Sequence, residues 1–421
     1  MDLVHSHAAK NECEGLGNLA GDPNQFFYSG DRHVHPAWDS LCFDYGKNEV
    51  IHFLLSNCKY WLTEFKFDGF RFDGVTSMLY YDHGLGKAFG SYADYYNGNE
   101  DDNAICYLSL ANEVIHEVNP HAITIAEEVS GMPGLAYPVK KGGYGFDYRL
   151  SMNIPDYWIK TIKEKRDEDW KPSSLFWELT NRRQDEKCIS YCESHDQALV
   201  GDKTIIFRLI DADMYWHFHR DYRNGNVDRG IALHKMIRLL TLSTINGGYL
   251  NFMGNEFAQF REWDETREQD WDLLKYPLHD AFQRFYAKLS HLYLEEPALY
   301  DGEYNSDCFG WLEVDAADYV TYAWERKASG QTIVTVMNLS DQFWKDFQVA
   351  LPEQYELTEL LNTDWEEFGG NTKPEDQNWS VENKPYKKKE QALCLDLPPF
   401  TARIFKVKSV KHSAQKKTPK K

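Results

Sequence analysis

The sequence lacks the segments that mark membrane-spanning and secreted proteins. No apolar run approaches the roughly 20 residues that span a bilayer, which excludes an integral membrane protein. The first residues, MDLVHSHAAKNE, contain neither the regions nor the cleavage site of a secretory signal. The eight cysteines are irregularly spaced, and the close pair Cys188 and Cys192 has no second pair with which to bind zinc. Free thiols in a reducing compartment and a cytoplasmic location are therefore expected.

Several catalytic motifs are missing as well. The chain has no glycine-rich phosphate loop, no G-x-S-x-G elbow around a nucleophilic serine and no H-E-x-x-H zinc motif. A protease triad and a zinc enzyme are both disfavoured. We expect neither a cofactor nor a metal ion.

Positive charge is scarce. Lys and Arg number 46 against 66 Asp and Glu, so the formal net charge of the 421 residues is −20. Such a field repels phosphate backbones and disfavours a nucleic-acid partner. Aromatic residues are abundant at 15%, including 13 Trp and 26 Tyr. Most of them belong to a core, but an apolar ring with a polar edge also suits stacking on sugar rings.

The pattern of the chain changes near residue 297. Before it, short apolar runs such as FDGFRFDGV and AITIAEEV alternate with amphipathic segments, which predicts an α/β domain with parallel strands over residues 1–297. After it, period-2 alternation predicts an all-β sandwich over 298–409, and the basic residues 410–421 are expected to form a disordered tail. Helices are predicted at 47–65, 104–118, 228–244 and 280–296. The face of the first helix that should contact the sheet carries Val50, Phe53, Leu54, Trp61 and Leu62.

Acidic residues concentrate where the predicted strands end. In DGFRFDG, Arg71 and Asp73 are two residues apart and project to the same side of an extended strand, where Arg71 can orient the carboxylate. In TIAEEVSG, an apolar strand ends on Glu127 and Glu128. Two adjacent acids at such a point indicate a functional site, although a helix-capping role for one of them is the alternative.

Two further segments combine histidine with acids. YCESHDQ contains Glu193, His195 and Asp196 at another strand end, and DLVHSH contains Asp2, His5 and His7 at the start of the chain. A single histidine is more often structural, and HSH by itself is also compatible with a metal site. Acids on three strands favour glycoside cleavage, because a retaining glycosidase needs a nucleophilic carboxylate and a protonated acid roughly 5–5.5 Å apart. The ends of neighbouring barrel strands can supply that spacing.

These motifs together resemble those of the α-amylase superfamily of glycoside hydrolases and transglycosylases, and within it the α-glucan branching enzymes. The resemblance rests on DLVHSH, DGFRFDGVTSM, IAEEVSGMP and YCESHDQALVGDK in this order, with further matches in GYGFDYRLSM and NFMGNEFAQFREW. It covers essentially the whole chain. The implied fold is a (β/α)8 TIM-type barrel followed by an all-β sandwich. Because DLVHSH ends the third barrel strand in that family, the first two strand–helix units are expected to be missing.

The resemblance also implies a role for individual residues. Three carboxylates would be catalytic: Asp73 as nucleophile, Glu127 as general acid and base, and Asp196 as stabiliser of the distorted sugar. Four residues would support them: His7 and His195 by binding ring hydroxyls, Arg71 by positioning Asp73, and Asp2 by supporting Arg71. Strand parity alone leaves the choice between Glu127 and Glu128 open, since a strand of a parallel sheet is buried on both faces.

The implied activity is that of a branching enzyme in glycogen biosynthesis. It would cleave an α-1,4 glucan and transfer the chain to a C6 hydroxyl, forming an α-1,6 branch without a cofactor, as a monomer whose partner is α-glucan. One alternative is an α-amylase-like hydrolase. The other is an inactive fragment that at most binds glucan, because a barrel without two of its strands leaves open sheet edges. In that case the chain by itself is expected to be unstable or inactive.

Overall fold

A computed structural model gives the fold of the chain in two compact units. Residues described by the structure are 1–170, 172–183, 186–199, 203–244, 247–261, 264, 266–302, 305–314, 319–376 and 378–410. Unit 1 comprises Met1–Met152 and Arg183–Ile189. Unit 2 comprises Asn153–Arg182 and Ser190–Lys421.

Unit 1 is built on parallel strands that pair in chain order. They are β1 (Asp2–Leu3), β2 (Gly69–Phe72), β3 (Ile123–Ala126), β4 (Tyr148–Leu150) and the first half of β5 (Cys188–Tyr191). Its helices are α1 (Asn48–Glu64), α2 (Val75–Leu79), α3 (Tyr92–Tyr95) and α4 (Asp102–Val118). Helix α4 begins at a recognisable signal: Asp101 precedes it and accepts hydrogen bonds from the Asn103 and Ala104 amides. Because all these strands run the same way, their carboxyl ends meet at one edge of the sheet.

Unit 2 begins with helices and ends with antiparallel sheets. Its helices are α5 (Asn153–Glu164), α6 (Pro172–Thr180), α7 (His195–Leu199), α8 (Ile205–Ile210), α9 (Asp213–Trp216), α10 (Gly225–Thr244) and α11 (Pro277–Glu295). The second half of β5 pairs in parallel with β6 (Tyr249–Leu250). The remaining strands are β7 (Phe309–Glu313), β8 (Thr321–Ala328), β9 (Gln331–Asn338), β10 (Trp344–Leu351), β11 (Tyr355–Asn362), β12 (Trp379–Glu382), β13 (Gln391–Leu397) and β14 (Thr401–Val410).

The antiparallel strands form two sheets. One has the order β11-β14-β9-β8-β7 and the other the order β10-β13-β12. Apolar residues of both, such as Val334 and Leu393, form a separate buried cluster, as alternation along the strands predicts. Within unit 2, α10 is buried on nearly every side and shares its core with the larger sheet. Two buried cations join them: Lys235 donates to the Thr363 carbonyl at 2.6 Å, and Arg326 donates to the Ser243 carbonyl at 2.7 Å.

The predicted fold class is confirmed. Six parallel strands followed by antiparallel sheets are present among the described residues, as expected for the barrel strands that the chain contains and for the sandwich. Each of the four predicted helices matches a helix of the structure within three residues at either end. The domain boundary at residue 297 stays a prediction. Strand β14 extends to Val410, and residues 411–421 of the predicted tail lie outside the described residues.

The buried face of α1 agrees with the predicted one except at Phe53. The structure buries Val50, Leu54, Cys58 and Leu62, which follow one another at intervals of four residues. Phe53 is 39% exposed, and its ring contacts Phe26 at a centroid distance of 5.1 Å. The contact surface of α1 is therefore centred on an i, i+4 row, and Trp61 packs partly buried against the same core. None of the helices in the described part of the chain is long and apolar enough to span a bilayer.

Candidate active site

Arg71 of β2 links three carboxylates of unit 1. Its Nη1 donates to Asp2 Oδ2 at 3.1 Å and to Asp73 Oδ1 at 3.0 Å, and its Nη2 lies 2.9 Å from Glu127 Oε2. Asp2 lies opposite Arg71 in the β1–β2 register, and Glu127 follows the end of β3. The planar guanidinium therefore holds the predicted nucleophile and the predicted acid on adjacent strand ends.

The alternation of β2 explains which side chains reach this site. Phe70 and Phe72 are buried in the core of unit 1, with exposures of 2% and 0%. Since successive side chains of a strand point to opposite faces, Arg71 and Asp73 project to the other face. The side chain of Asp73 remains 24% exposed and that of Glu127 14%, which leaves both carboxylates accessible from solvent.

A tight turn after Asp73 binds the loop that carries Glu127. Gly74 adopts a left-handed conformation with φ 61°, and its amide donates to Glu127 Oε2 at 2.8 Å. The next amide, Val75, donates to the Glu127 carbonyl at 2.9 Å. A Cβ at Gly74 would lie 2.9 Å from Ser6 Oγ, so both the backbone conformation and the space require glycine. The turn thereby fixes the predicted acid relative to the predicted nucleophile.

Glu128 is a structural residue. Its carboxylate is buried and accepts hydrogen bonds from the amides of Ser130, Gly131 and Met132 at 2.5, 2.9 and 3.1 Å. Arg149 Nη2 donates to it at 2.6 Å. No helix begins at Glu128 in the described part of the chain, so helix capping, the alternative considered from the sequence, does not describe it. Glu128 instead closes a turn through the Ser130, Gly131 and Met132 amides, whereas Glu127 faces Arg71.

Arg149 of β4 continues this buried network. Its Nη1 donates to Glu186 Oε1 at 2.9 Å, and Glu186 is itself only 3% exposed. Burial alone would lower the pKa of Arg149, but the charges of Glu128 and Glu186 outweigh burial and raise that pKa. Arg149 lies in the segment GYGFDYRLSM, but no role was predicted for it. The signal was an arginine inside a short strand, next to the strand that ends on two acids.

His7 lies beside the proposed nucleophile. Its Nε2 is 3.8 Å from Asp73 Oδ2, while Arg71 donates to Oδ1 of the same carboxylate. Burial lowers the pKa of His7, and the charge of Asp73 opposes that shift only in part. A neutral His7 can donate to a hydroxyl or accept from one, which suits the predicted sugar-binding role.

His5 belongs to the core and not to the site. Asn57 Oδ1 accepts from its Nε2 at 3.0 Å, so Nδ1 is the unprotonated nitrogen and accepts from the Tyr107 hydroxyl at 2.5 Å. Burial lowers the pKa of His5 to about 4, against a smaller opposite effect of the hydrogen bond to Asn57. Among the described residues no cluster of three or more His, Cys, Asp or Glu side chains has the arrangement of a metal site. The HSH segment thus supplies one structural histidine and one site histidine.

The low pKa of His5 predicts that the protein loses stability in mild acid. A histidine whose folded pKa lies below its unfolded value stabilises the fold fully at neutral pH, and this contribution falls as pH drops from about 6.5 to about 4. We expect the His5→Gln variant to be less stable than the parent protein at pH 7, and the difference to shrink by about 3 kcal/mol at pH 4. Urea unfolding at several pH values measures this. A difference that does not depend on pH would contradict it.

His195 and Asp196 lie together in unit 2, at the start of α7. His195 Nε2 is 3.2 Å from Asp196 Oδ1, and both side chains are partly exposed. The Asp196 amide donates to Ser194 Oγ at 3.3 Å, which helps to define the turn before the helix. Asp156 of α5 is a neighbour that sequence reasoning missed, since burial and the charge of Asp196 together raise the pKa of Asp156. The structure thus brings five of the seven predicted residues together in unit 1 and the other two together in unit 2.

Glu193, the third acid of the YCESHDQ segment, is buried. Its carboxylate accepts one hydrogen bond from Arg238 Nη2 at 2.6 Å and another from the Ile205 amide at 2.7 Å. Burial by itself would raise the pKa of Glu193, but His234, whose Nε2 lies 3.8 Å from the carboxylate, and the charge of Arg238 hold that pKa below its ordinary value. A paired, fully enclosed carboxylate such as this one stabilises the turn that precedes His195 and does not reach a ligand.

Comparison with known proteins gives a consistent result. The family model described as "Alpha amylase, C-terminal all-beta domain" matches residues 311–408. The crystal structure of an α-amylase from H. orenii superposes with a TM-score of 0.53 at 15% sequence identity, covering 88% of this chain and 67% of that one. At this identity the likeness concerns the fold alone, which is thereby the α-amylase fold.

The similar curated proteins are 1,4-α-glucan-branching enzymes. The chain is 42% identical to the one from Yarrowia lipolytica, covering 96% of this chain and 61% of that protein, and 43% identical to the one from Felis catus, covering 94% and 57%. It is 56% identical to the chloroplastic/amyloplastic enzyme 2-2 of Arabidopsis thaliana over 62% of this chain and 33% of that protein. It thus spans about three fifths of the length of the first two. Over nearly its whole length the chain is therefore similar to 1,4-α-glucan-branching enzymes, and its fold is that of an α-amylase.

Proposed function

We propose that the protein catalyses the branching of α-glucan. It would cleave an α-1,4 linkage through a covalent glucosyl-enzyme intermediate and transfer the released chain to a C6 hydroxyl. The observation that carries this proposal is the single guanidinium of Arg71 in contact with both Asp73 and Glu127. Two carboxylates oriented by one group on adjacent strand ends are what a retaining glycoside reaction needs. The names of the relatives favour transfer over hydrolysis.

The first half-reaction forms the intermediate. Asp73 Oδ1 is held by Arg71, so Oδ2 attacks the anomeric carbon, and a C–O ester bond forms there. The bond from that carbon to the glycosidic oxygen breaks, and Glu127 gives its proton to the departing oxygen. Glu127 Oε2 contacts Arg71 at 2.9 Å and accepts from the Gly74 amide at 2.8 Å, which holds the carboxyl group in place for this proton transfer. By the resemblance, Asp196 would stabilise the distorted sugar and His195 would bind a ring hydroxyl.

The second half-reaction forms the branch. Glu127, now ionised, takes the proton of a C6 hydroxyl of the acceptor chain, the oxygen attacks the anomeric carbon, and the bond to Asp73 breaks. Water in the same position would give hydrolysis. Binding energy from the rest of the acceptor must therefore select the sugar hydroxyl. We place the reaction in glycogen biosynthesis by a monomer in the cytoplasm, where the eight free cysteines would remain reduced.

Amylose distinguishes branching from its two alternatives. We expect the protein to lower the iodine staining of amylose and to raise the fraction of chains released by a debranching enzyme, with few new reducing ends. Both quantities are followed in one time course, with the Asp73→Asn protein as the control. Reducing ends that rise while debranching releases nothing would identify a hydrolase. If neither the reducing ends nor the chains released by debranching increase, and the protein still unfolds cooperatively, then the protein is inactive and at most binds glucan.

A further inference from the structure

Trp38 is a large exposed aromatic residue at the edge of the candidate active site in unit 1. Its side chain is 44% exposed, and its ring centroid lies 4.9 Å from that of His7. The indole also reaches the turn after the nucleophile, because a Cβ at Gly74 would lie 3.1 Å from Trp38 Cη2. An indole that is exposed beside two residues of a glucan-cleaving site is a candidate surface for a sugar ring.

One face of the indole is held against a buried histidine. The rings of Trp38 and His35 stack with centroids 4.0 Å apart and planes 7° from parallel, and His35 is fully buried. The amides of Ala37 and Trp38 both lie 3.2 Å from His35 Nδ1, to which they donate. The imidazole therefore fixes the backbone and the ring of Trp38 at once.

The protonation of His35 follows from these contacts. Because Nδ1 accepts from two amides, the ring proton is on Nε2 and is donated to Ser77 Oγ at 2.9 Å. Burial, together with the charges of His83 and His7, lowers the pKa of His35 to about 4. His35 is thus a neutral, fully bonded support for the indole at neutral pH and not a ligand-binding group.

The opposite face of the indole is not covered by His7. The centroid of His7 lies 4.9 Å from Trp38 and 6.5 Å from His35, while Trp38 and His35 are 4.0 Å apart. If His7 covered the far face of Trp38, its centroid would lie from that of His35 at nearly the sum of 4.0 and 4.9 Å, well above the observed 6.5 Å. His7 therefore lies at the side of the indole. Because His35 is buried and covers one face, we assign the 44% exposure of Trp38 to the other face and the remaining edge.

We propose that the face of Trp38 opposite His35 stacks on a glucosyl ring of the α-glucan, on the side of the cleaved bond where one chain leaves and the acceptor chain enters. This inference rests on the proposed function. The side is assigned by Gly74, whose amide donates to Glu127 Oε2, the residue that protonates the leaving chain and activates the acceptor. Trp38 is then a residue that determines specificity for a sugar acceptor over water.

Two variants and one matched control test the role of Trp38 in transfer. We expect Trp38→Ala to reduce the number of branches formed per bond cleaved by about five- to tenfold, the range for loss of one aromatic contact. Trp38→Phe keeps a stacking surface and should retain most of the ratio. Tyr60→Ala removes an aromatic side chain of similar exposure, 47%, from α1 and should leave the ratio unchanged. A Trp38→Ala ratio equal to that of the parent protein would overturn the inference.

A binding measurement separates the failure of this inference from that of the proposed function. The dissociation constant of a maltooligosaccharide is measured calorimetrically in the Asp73→Asn background, with and without Trp38→Ala, and requires no turnover. We expect about a five- to tenfold increase in Kd with Trp38→Ala and little change with Tyr60→Ala. Branch formation by the parent protein tests the function. An unchanged Kd refutes stacking of the sugar on Trp38, whether or not branches form.

Discussion

Replacement of Asp73 by asparagine should lower kcat on amylose by about 10⁴-fold or more. The amide cannot form the ester bond to the anomeric carbon, so the reaction has no intermediate from which a chain could be transferred. The fold should remain intact, because Asp73 is partly exposed and an asparagine can still accept from Arg71 Nη1, which now lies 3.0 Å from the carboxylate. The loss is therefore expected in activity and not in the midpoint of unfolding.

The decisive measurement for Asp73 is the mass of the intact protein after incubation with a slowly released fluorinated glucosyl donor. The parent protein should gain one glycosyl group and the Asp73→Asn protein none. Asp2→Asn is the matched control, since Asp2 also contacts Arg71, at 3.1 Å, but its side chain is 53% exposed. Its kcat should fall less than about tenfold, because a solvated ion pair contributes little. An adduct on Asp73→Asn would assign the nucleophile to another residue.

Replacement of Glu127 by glutamine should produce a loss that depends on the leaving group. Glutamine keeps the hydrogen bonds of Oε2 with Arg71 and the Gly74 amide but has no acidic proton. We expect cleavage of amylose, whose leaving alcohol needs a proton, to fall by about 10²- to 10⁴-fold. Cleavage of an aryl glycoside with an acidic phenol should fall far less. Steady-state kinetics on the two substrates gives the comparison.

Glu128→Gln is the control for Glu127 because it makes the same chemical change one residue away. It should slow cleavage of both substrates by the same, smaller factor. The ratio of the two rates should therefore stay at the value of the parent protein. Its main cost should be in stability, about 3–5 kcal/mol, since it removes a buried carboxylate from Arg149 and weakens the turn at Ser130. Leaving-group dependence in Glu128→Gln and its absence in Glu127→Gln would reverse the assignment of the acid.

Helices and strands of this chain were largely predictable because their signals are local. Period-2 and period-3.6 patterns reflect which side chains a single element can bury, and they predicted α4, α10 and α11 to within three residues at either end. The strand ends were predictable for the same reason. An apolar run that stops at Arg71 and Asp73, or at Glu127, marks the point where a buried strand reaches solvent.

The sequence determined by itself the order of the elements, the fold class and the residues that gather at the strand ends, since these follow from local patterning and from the motifs. Only the tertiary structure decided between neighbours of like chemistry. It places Glu127 against Arg71 and encloses Glu128 with Arg149, and it separates His7 at the site from His5 in the core. Each of these choices depends on a contact between residues far apart in the chain. The energy of such a contact comes from burial and pairing across strands, which periodicity along one strand does not encode.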